Sequence, residues 1–182
     1  MADLDTLATR LQLIEDKDEI RSLVARYGMI VDNRDIDGLY EVFAPDVCFA
    51  GKGASGKLEG ADAVVAHYKN RFNLMTVSNH YTHDHVIWFD GDDTAYGIVN
   101  AHVEMINQGE PTVGALRYKD IYTRYDGQWR FKERVTGFMY YVDAAKYPAI
   151  LKEEDRVFIT GEPQPADWPE GLESWQKFYN GE

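Results

Sequence analysis

The side chains best suited to acid–base chemistry in this sequence are its histidines and one aspartate near the end of an apolar helical pattern. Histidine titrates closest to neutral pH, and a carboxylate that holds one ring nitrogen leaves the other free to move a proton. Asp32 follows Ile30 and Val31, so its helix could carry it inward, although a solvated aspartate is also typical of a helix end. The histidines are His67, His80, His83, His85 and His102.

A metal site is the alternative chemistry that the histidine spacing suggests. His83 and His85 lie two residues apart on a predicted strand and therefore share a face, whereas His80 points the other way unless a bulge intervenes. Such a pair can bind iron or manganese when a carboxylate and a further histidine, here Glu104 and His102, complete the set. Few further histidines remain, so strand histidines that are solvated or bonded to tyrosine are the simpler interpretation, and we predict no metal site.

Helices dominate the first part of the chain that must position these side chains. An acidic start at Asp16–Glu19 precedes apolar residues at helical spacing from Ile20 to Val31. The glycine-rich segment Gly51–Gly56 lacks the order of a phosphate-binding loop and is interpreted as a hairpin turn. We predict helices over residues 16–32, 35–43 and 60–72, and a short strand over residues 47–50.

Strands dominate the next part of the chain. Turn signals such as Asp126-Gly127 separate long alternating segments, which predicts an antiparallel meander. Helices followed by such a meander are typical of the α+β class. A strongly bent antiparallel sheet around the N-terminal helices gives a cone-shaped α+β barrel with an internal pocket. The predicted strands are Asn79–Phe89, Thr94–Ile106, Val113–Tyr125 and Gln128–Val142.

Two segments follow from this pattern: a barrel domain over residues 1–142 and a C-terminal extension over residues 143–182. The extension holds four of the six prolines together with several aromatic residues, including Trp168 and Trp175. A disordered tail would carry few aromatic residues. We therefore expect the extension to pack on the barrel, over the mouth of the cone, or on a neighbouring subunit.

Composition excludes several classes of partner. The chain has 182 residues, with 19 Lys and Arg against 31 Asp and Glu, and a net charge of -12. Phosphate binding needs a positive field, so we predict no nucleic-acid partner, and the same charge disfavours anionic membranes. The single cysteine, Cys48, excludes an internal disulfide framework. No apolar run reaches the ~20 residues of a membrane span and the start lacks signal-peptide features, so a cytoplasmic location is expected.

Several segments resemble SnoaL-like proteins of the nuclear-transport-factor-2-like superfamily. The resemblance extends over roughly residues 8–140. It implies a curved antiparallel sheet around a deep apolar pocket, which agrees with the fold expected from the pattern. The segments that carry it are Ile20–Asp35, Leu39–Val47, Gly60–Val64, Ser78–Tyr81 and Tyr125–Lys132.

Within that superfamily the chain is most similar to the dehydratase branch, which includes scytalone dehydratase, bile-acid 7α-dehydratase and hexachlorocyclohexane dehydrochlorinase. The branch shares an Asp–His dyad, and Asp32 and His80 fall in its two places. Arg134 matches an assisting arginine on the last strand, and Tyr27 matches a tyrosine of the bile-acid enzyme. His102 matches a second strand histidine of scytalone dehydratase. The dehydrochlorinase has lysine in the place of Tyr27, so the resemblance favours water over chloride as the leaving group.

The resemblance implies a lyase that needs no metal or organic cofactor. His80, made basic by Asp32, removes a proton next to a carbonyl or an activated carbon, and Tyr27 or Arg134 stabilises the oxyanion. A pocket rich in tyrosine, phenylalanine and methionine suits a small apolar ring-bearing molecule, with Phe49 and Tyr118 as predicted substrate-binding residues. An isomerase or cyclase using the same dyad is the next hypothesis. A non-catalytic ligand-binding module, or one like the small subunit of ring-hydroxylating dioxygenases, is the third.

Similarity to the dehydratases also implies a homo-oligomer, with a trimer favoured over a dimer. Aromatic side chains in the C-terminal extension need a surface to cover, since large exposed apolar patches are rare on monomers. We expect the outer face of the sheet, including parts of Tyr118–Arg124 and Arg130–Arg134, to supply the interface.

Overall fold

A computed structural model describes residues 3–52, 54, 56–159 and 161–181. The helices are α1 (Leu4–Asp32), α2 (Ile36–Val42), α3 (Ala61–Leu74), α4 (Tyr147–Ile150) and α5 (Glu173–Asn180). The strands are β1 (Phe43–Gly51), β2 (Leu58–Glu59), β3 (Met75–Phe89), β4 (Thr94–Asn107), β5 (Glu110–Tyr125) and β6 (Gln128–Asp143). Within the described part of the chain, no helix has both the length and the apolar character needed to cross a membrane.

One six-stranded sheet, with strand order β2-β1-β6-β5-β4-β3, forms the body of the molecule. Strands β3 to β6 form the predicted antiparallel meander. The sheet departs from the expected antiparallel arrangement at one strand pair, because β1 enters from α2 and pairs parallel with β6. The sheet is therefore mixed, and it curves without closing. The α+β class and the cone around the N-terminal helices are confirmed, with an open cone in place of a closed barrel.

Helix α1 is longer than the sequence pattern indicates. Its N-cap is Asp3, whose carboxylate accepts a hydrogen bond from the Thr6 amide at 2.7 Å. The predicted start at Asp16 is wrong, because the pattern detects only the part of the helix that is buried. Burial begins at Asp16 and continues along one face to Val31, whereas the preceding turns are exposed.

The core lies between α1, α2, α3 and the concave face of the sheet. Burying a Val, Leu or Ile side chain contributes about 1.5–3 kcal/mol, so this layer supplies most of the stabilisation that holds α1 on the sheet. The helix residues of this core include Ile20, Leu23, Val24, Val31, Leu39, Val64 and Val65, and its strand residues include Val47, Val99, Tyr122, Trp129 and Phe131.

Strand β3 contains an irregularity that changes which histidines face inward. Its register with β4 shifts between Thr82 and His85. His80 and His85 are both partly buried on the inner face, and His83 between them is exposed. The expectation that His83 and His85 share a face is therefore wrong, because the bulge reverses the alternation that a regular strand would impose.

The C-terminal extension packs on β5 and β6, and its fully buried Val157 belongs to the main core. Tyr147, Ile150 and Phe158 contact a small cluster centred on Tyr140, and Asp167 accepts a hydrogen bond from the Phe138 amide at 2.8 Å. A single bridge pairs Tyr141 with Val157. The exposed aromatic residues of α5 are Trp175, Phe178 and Tyr179.

Asp16 joins α1 to the β5–β6 hairpin. Its Oδ1 accepts hydrogen bonds from Arg124 Nη2 at 2.6 Å, Gln12 Nε2 at 3.0 Å and the Trp129 indole at 3.2 Å. Burial opposes the charged form, but the hydrogen bonds from Arg124 and Trp129 outweigh it and lower the pKa of Asp16. The carboxylate is thus ionised at neutral pH and fixes the hairpin against the helix.

We expect Asp16→Ala to lower the free energy of unfolding by about 2–4 kcal/mol, because it removes the acceptor of the Trp129 indole N–H and the shortest ion pair of Arg124. Urea unfolding followed by circular dichroism measures this change. Asp18→Ala, an exposed aspartate of the same helix, is the control and should change stability by less than about 0.5 kcal/mol. Equal effects of the two substitutions would contradict the role of Asp16.

Candidate active site

Asp32 and His80 are in direct contact. Asp32 is the last residue of α1, and its Oδ1 lies 2.7 Å from His80 Nδ1. Its Oδ2 accepts the His80 backbone N–H at 2.7 Å, and Oδ1 also accepts from Ser78 Oγ at 2.8 Å. Because an ionised carboxylate can only accept, Nδ1 carries the proton and Nε2 of the neutral ring is an acceptor. Both side chains are largely buried, at 10% exposure for His80 and 15% for Asp32.

The charge of Asp32 is maintained by its partners. Burial raises the pKa of this carboxyl, but the hydrogen bonds from the His80 ring, the His80 amide and Ser78 lower it by more, so the net shift is downward. Asp32 is therefore ionised at neutral pH. A fixed negative charge beside Nδ1 stabilises the imidazolium that forms when Nε2 takes a proton.

Arg34 fixes the end of α1 against β3 and was not identified from the sequence. Its Nη1 donates to the Val31 carbonyl at 2.7 Å and to Ser78 Oγ at 2.8 Å, and Nη2 donates to the Met75 carbonyl. The guanidinium also lies 4.7 Å from the centre of the Phe72 ring. Arg34 has a positive φ of 61°, a conformation that the sequence does not reveal. Through Ser78, it holds the carboxylate of the dyad in place.

A cavity of about 80 Å³ opens beside the dyad. His80 and Tyr27 line it, and so do the two predicted substrate-binding residues, Phe49 and Tyr118. Arg134 and His102 do not. The remaining lining residues are mostly apolar or aromatic: Val31, Lys52, His67, Tyr68, Arg71, Met75, Val103, Met105, Leu116, Thr136, Phe138 and Tyr141.

Four tyrosines line this cavity, and they are Tyr27, Tyr68, Tyr118 and Tyr141. Tyr27 and Tyr68 are hydrogen-bonded to each other through their hydroxyl oxygens. Burial raises the pKa of Tyr27, Tyr68 and Tyr118 above the ordinary value. In the Tyr27–Tyr68 pair only one of the two hydroxyl protons lies between the oxygens, so the pair retains a second proton that it can donate to another acceptor.

Arg134 lies behind the cavity wall and does not line the cavity. It is fully buried and forms two hydrogen bonds with Asp120, Nε to Oδ1 at 2.8 Å and Nη2 to Oδ2 at 2.7 Å. Its guanidinium carbon is 4.1–4.2 Å from the ring centres of Tyr27, Tyr118 and Phe131. The predicted assistance of Arg134 to catalysis would therefore act through Tyr27 and Tyr118, which line the cavity and pack on its guanidinium.

Asp120 and His85 extend this buried network and were not singled out from the sequence. Asp120 Oδ2 accepts from the Tyr122 hydroxyl at 2.8 Å, and that hydroxyl lies 3.1 Å from His85 Nε2. Burial lowers the pKa of His85 to about 4, so its ring is neutral at neutral pH. The sequence contained one signal for Asp120. Side chains alternate along β5, so Asp120 lies on the same inward face as Tyr118 and Tyr122.

His102 lies outside the cavity, contrary to its predicted place in the catalytic site. Its Nδ1 lies 2.8 Å from His83 Nε2, and both rings are exposed on the outer face of the sheet. The histidine pair required by the metal alternative is also not assembled, because His83 and His85 face opposite sides. Among the described residues, no group of three or more His, Cys, Asp or Glu side chains is arranged to hold a metal ion.

The fold and the matched sequence define the class of this protein. The SnoaL-like domain family matches residues 12–135, which is most of the chain, and the chain belongs to that family. The matched segment contains Asp32, His80 and Arg134 and ends before the C-terminal extension. No match was found among curated proteins.

Solved structures with the same fold include enzymes of elimination chemistry. A type 2 hexachlorocyclohexane dehydrochlorinase superposes with a TM-score of 0.69 at 19% identity, over 74% of this chain and 92% of its own. A candidate scytalone dehydratase from Novosphingobium aromaticivorans gives 0.67 at 18% identity, over 72% and 89%. A candidate aromatic ring hydroxylase from the same organism gives 0.67 at 23% identity, over 73% and 96%. At these identities the likeness shows the fold alone.

We expect Arg134→Met to lower the free energy of unfolding by about 3–5 kcal/mol, because it leaves Asp120 charged and buried without its partner. The double variant Asp120→Asn/Arg134→Met removes both charges and should be more stable than Arg134→Met alone, with a coupling energy of about 1–3 kcal/mol. Guanidinium unfolding of the wild type, Asp120→Asn, Arg134→Met and the double variant measures the cycle. Arg26→Met, at an exposed ion pair with Glu41, is the control. Strictly additive effects of the two substitutions would show that the pair is not coupled.

Proposed function

We propose that this protein is a cofactor-independent lyase of the dehydratase type, acting on an apolar, ring-bearing, hydroxylated molecule through Asp32 and His80. The observation that carries the proposal is the 2.7 Å contact between the Asp32 carboxylate and His80 Nδ1 beside an apolar cavity that His80 itself lines. A carboxylate-held imidazole with its second nitrogen free is the arrangement that proton abstraction requires.

In the proposed reaction, Nε2 of His80 removes a proton from the carbon next to a carbonyl group of the substrate. The C–H electron pair moves into an enolate, whose oxygen accepts a hydrogen bond from the Tyr27–Tyr68 pair or from Tyr118. The enolate then re-forms the carbonyl, a carbon–carbon double bond forms and the C–O bond of the hydroxyl group breaks. The leaving hydroxide takes the proton from the His80 imidazolium and departs as water, so the histidine returns to its starting state.

Arg134 supports this step from behind the cavity wall. Its guanidinium lies against the ring faces of Tyr27 and Tyr118, and both tyrosines line the cavity. A buried cation at this place favours negative charge developing on the substrate oxygen. Arg134 is thus a positioning residue that acts through the tyrosines.

Isomerisation by the same dyad is the second candidate. It needs the same proton abstraction and differs only in returning the proton to another carbon of the substrate. The product distinguishes the two reactions, because dehydration releases water and isomerisation keeps the mass of the substrate.

The test is a screen of hydroxylated cyclic ketones, including hydroxysteroid ketones and polyketide-like aromatic ketones, followed by ultraviolet absorbance of the new conjugated product and by its mass. With an active substrate, His80→Ala should lower kcat by about two to four orders of magnitude. Asp32→Asn should have a similar or smaller effect, because the imidazole stays in place without its charged partner. Tyr27→Phe should lower kcat by about tenfold to a hundredfold through the loss of one donor.

His83→Ala is the matched control, since His83 is an exposed histidine of the same strand. It should keep wild-type turnover, and so should the protein treated with a chelator. Near wild-type turnover of His80→Ala, together with loss of activity in His83→Ala or after chelation, would support a metal mechanism and overturn the dyad.

We also propose that the protein is a homo-oligomer, with a trimer first and a dimer second. Exposed apolar side chains support it, because patches of this kind are rare on monomers. They are concentrated on the outer face of β3 and on the exposed turns of α1. The sequence led us to expect the interface in a different place, at parts of residues 118–124 and 130–134. The side chains are Val77, Tyr81, Val86 and Trp88 on β3, and Leu4, Leu7, Leu11 and Ile14 on α1.

Sedimentation velocity over a micromolar concentration series should give a mass of a trimer or dimer of the 20.8 kDa chain. The physical reason is burial of these apolar side chains, which removes them from water. A single monomeric species across the series would refute the assembly.

A further inference from the structure

Arg71 brings a positive charge to the cavity that the proposed reaction does not use. It lies in the last turn of α3 and lines the same cavity as His80. None of the described residues that line this cavity is an aspartate or glutamate, although the chain has 31 acidic residues and a net charge of -12. The cavity lining therefore offers a ligand cationic and neutral side chains and no carboxylate of its own.

The other cation at the cavity, Lys52, already has a partner. Its Nζ lies 2.9 Å from Asp167 Oδ1 and also donates to the Pro165 carbonyl. The charge of Lys52 is thus balanced by the C-terminal extension.

Arg71, by contrast, forms no ion pair with any carboxylate in the described part of the chain. Its Nη2 approaches Met75 Sδ at 3.5 Å, and a thioether is only a weak acceptor. Two cavity residues that interact with it are neutral: burial, followed by the charge of Arg71, lowers the pKa of His67, and burial raises the pKa of Tyr141. A half-buried guanidinium with N–H groups available therefore faces the ligand space.

We propose that Arg71 binds a carboxylate group of the ligand, so that the substrate class is a hydroxylated, ring-bearing carboxylic acid. A guanidinium can form two parallel hydrogen bonds with a carboxylate, and partial burial strengthens that ion pair. This substrate assignment rests on the proposed function, whereas the carboxylate site itself rests only on the cavity and on Arg71. An acid group held by Arg71 and a ring held by the apolar wall fix the orientation of the molecule toward His80.

The experiment compares binding of matched acids and amides by isothermal titration calorimetry. The probes are acids small enough for a cavity of about 80 Å³, namely acetate, cyclopropanecarboxylate and benzoate, each with its neutral carboxamide. We expect the wild-type protein to prefer the carboxylate by about tenfold or more in at least one pair, as a charge-assisted bidentate contact implies. Arg71→Gln should remove that preference while leaving amide binding within about twofold, and Arg71→Lys should keep part of it because the charge remains.

Arg26→Gln is the control, since Arg26 is exposed and paired with Glu41. It should bind as the wild type does, and circular dichroism confirms that each variant is folded. The inference is overturned if no acid binds more tightly than its amide, if no acid binds at millimolar concentration, or if the preference persists in Arg71→Gln.

The same titrations with His80→Ala separate this inference from the proposed function. If wild type and His80→Ala both bind the acids but wild type turns over no hydroxylated ring acid, the carboxylate site is supported and the lyase is refuted. Turnover of neutral ketones with no acid preference would retain the lyase and refute the carboxylate site.

Discussion

The buried ion pair between Arg134 and Asp120 is the interaction on which the arrangement of the pocket depends. The two residues are direct partners across β5 and β6, so the pair also fixes the register of these two long strands. A charge removed from water is stable only when its partner is placed with good geometry, and here two hydrogen bonds and three aromatic rings surround the guanidinium. A shift of either strand would leave both charges buried and unpaired.

The Arg134–Asp120 pair also determines the position of the dyad, through the aromatic side chains that pack on the guanidinium. Tyr27 of α1 packs on the Arg134 guanidinium and on Phe131, and this contact fixes the rotation of α1 over the sheet. Asp32 lies farther along the same helix and is thereby directed toward β3. Arg34 completes the alignment by joining the end of α1 to Ser78. The dyad geometry is thus set by two separate contacts, one beneath the helix and one at its end.

The acidic and basic groups around the pocket are kept in distinct states by their surroundings. Asp32 remains charged because hydrogen bonds outweigh its burial, whereas burial keeps His85 and the tyrosines neutral. A site built in this way contains a base held by its own carboxylate, neutral donors and, in Arg71, a cation with no carboxylate partner among the described residues. Separation of these roles within one small volume is what the proposed chemistry and the proposed ligand class both require.

The sequence by itself determined the α+β class, the helices before the sheet, and the bounds of β4 to β6 to within a few residues, because periodicity and turn residues act locally. It also indicated Asp32 and His80, through their resemblance to a family dyad, and placed Tyr27, Phe49 and Tyr118 toward the pocket.

Tertiary structure alone decided the rest. The bulge between Thr82 and His85 reverses which histidines face inward, and it depends on pairing with β4 that a single strand does not encode. The same is true of the parallel pairing of β1 with β6, which joins segments far apart in the chain. A list of charges does not tell which are buried together, so the partnership of Arg134 with Asp120 and the open guanidinium of Arg71 emerged only when distant elements met around one cavity.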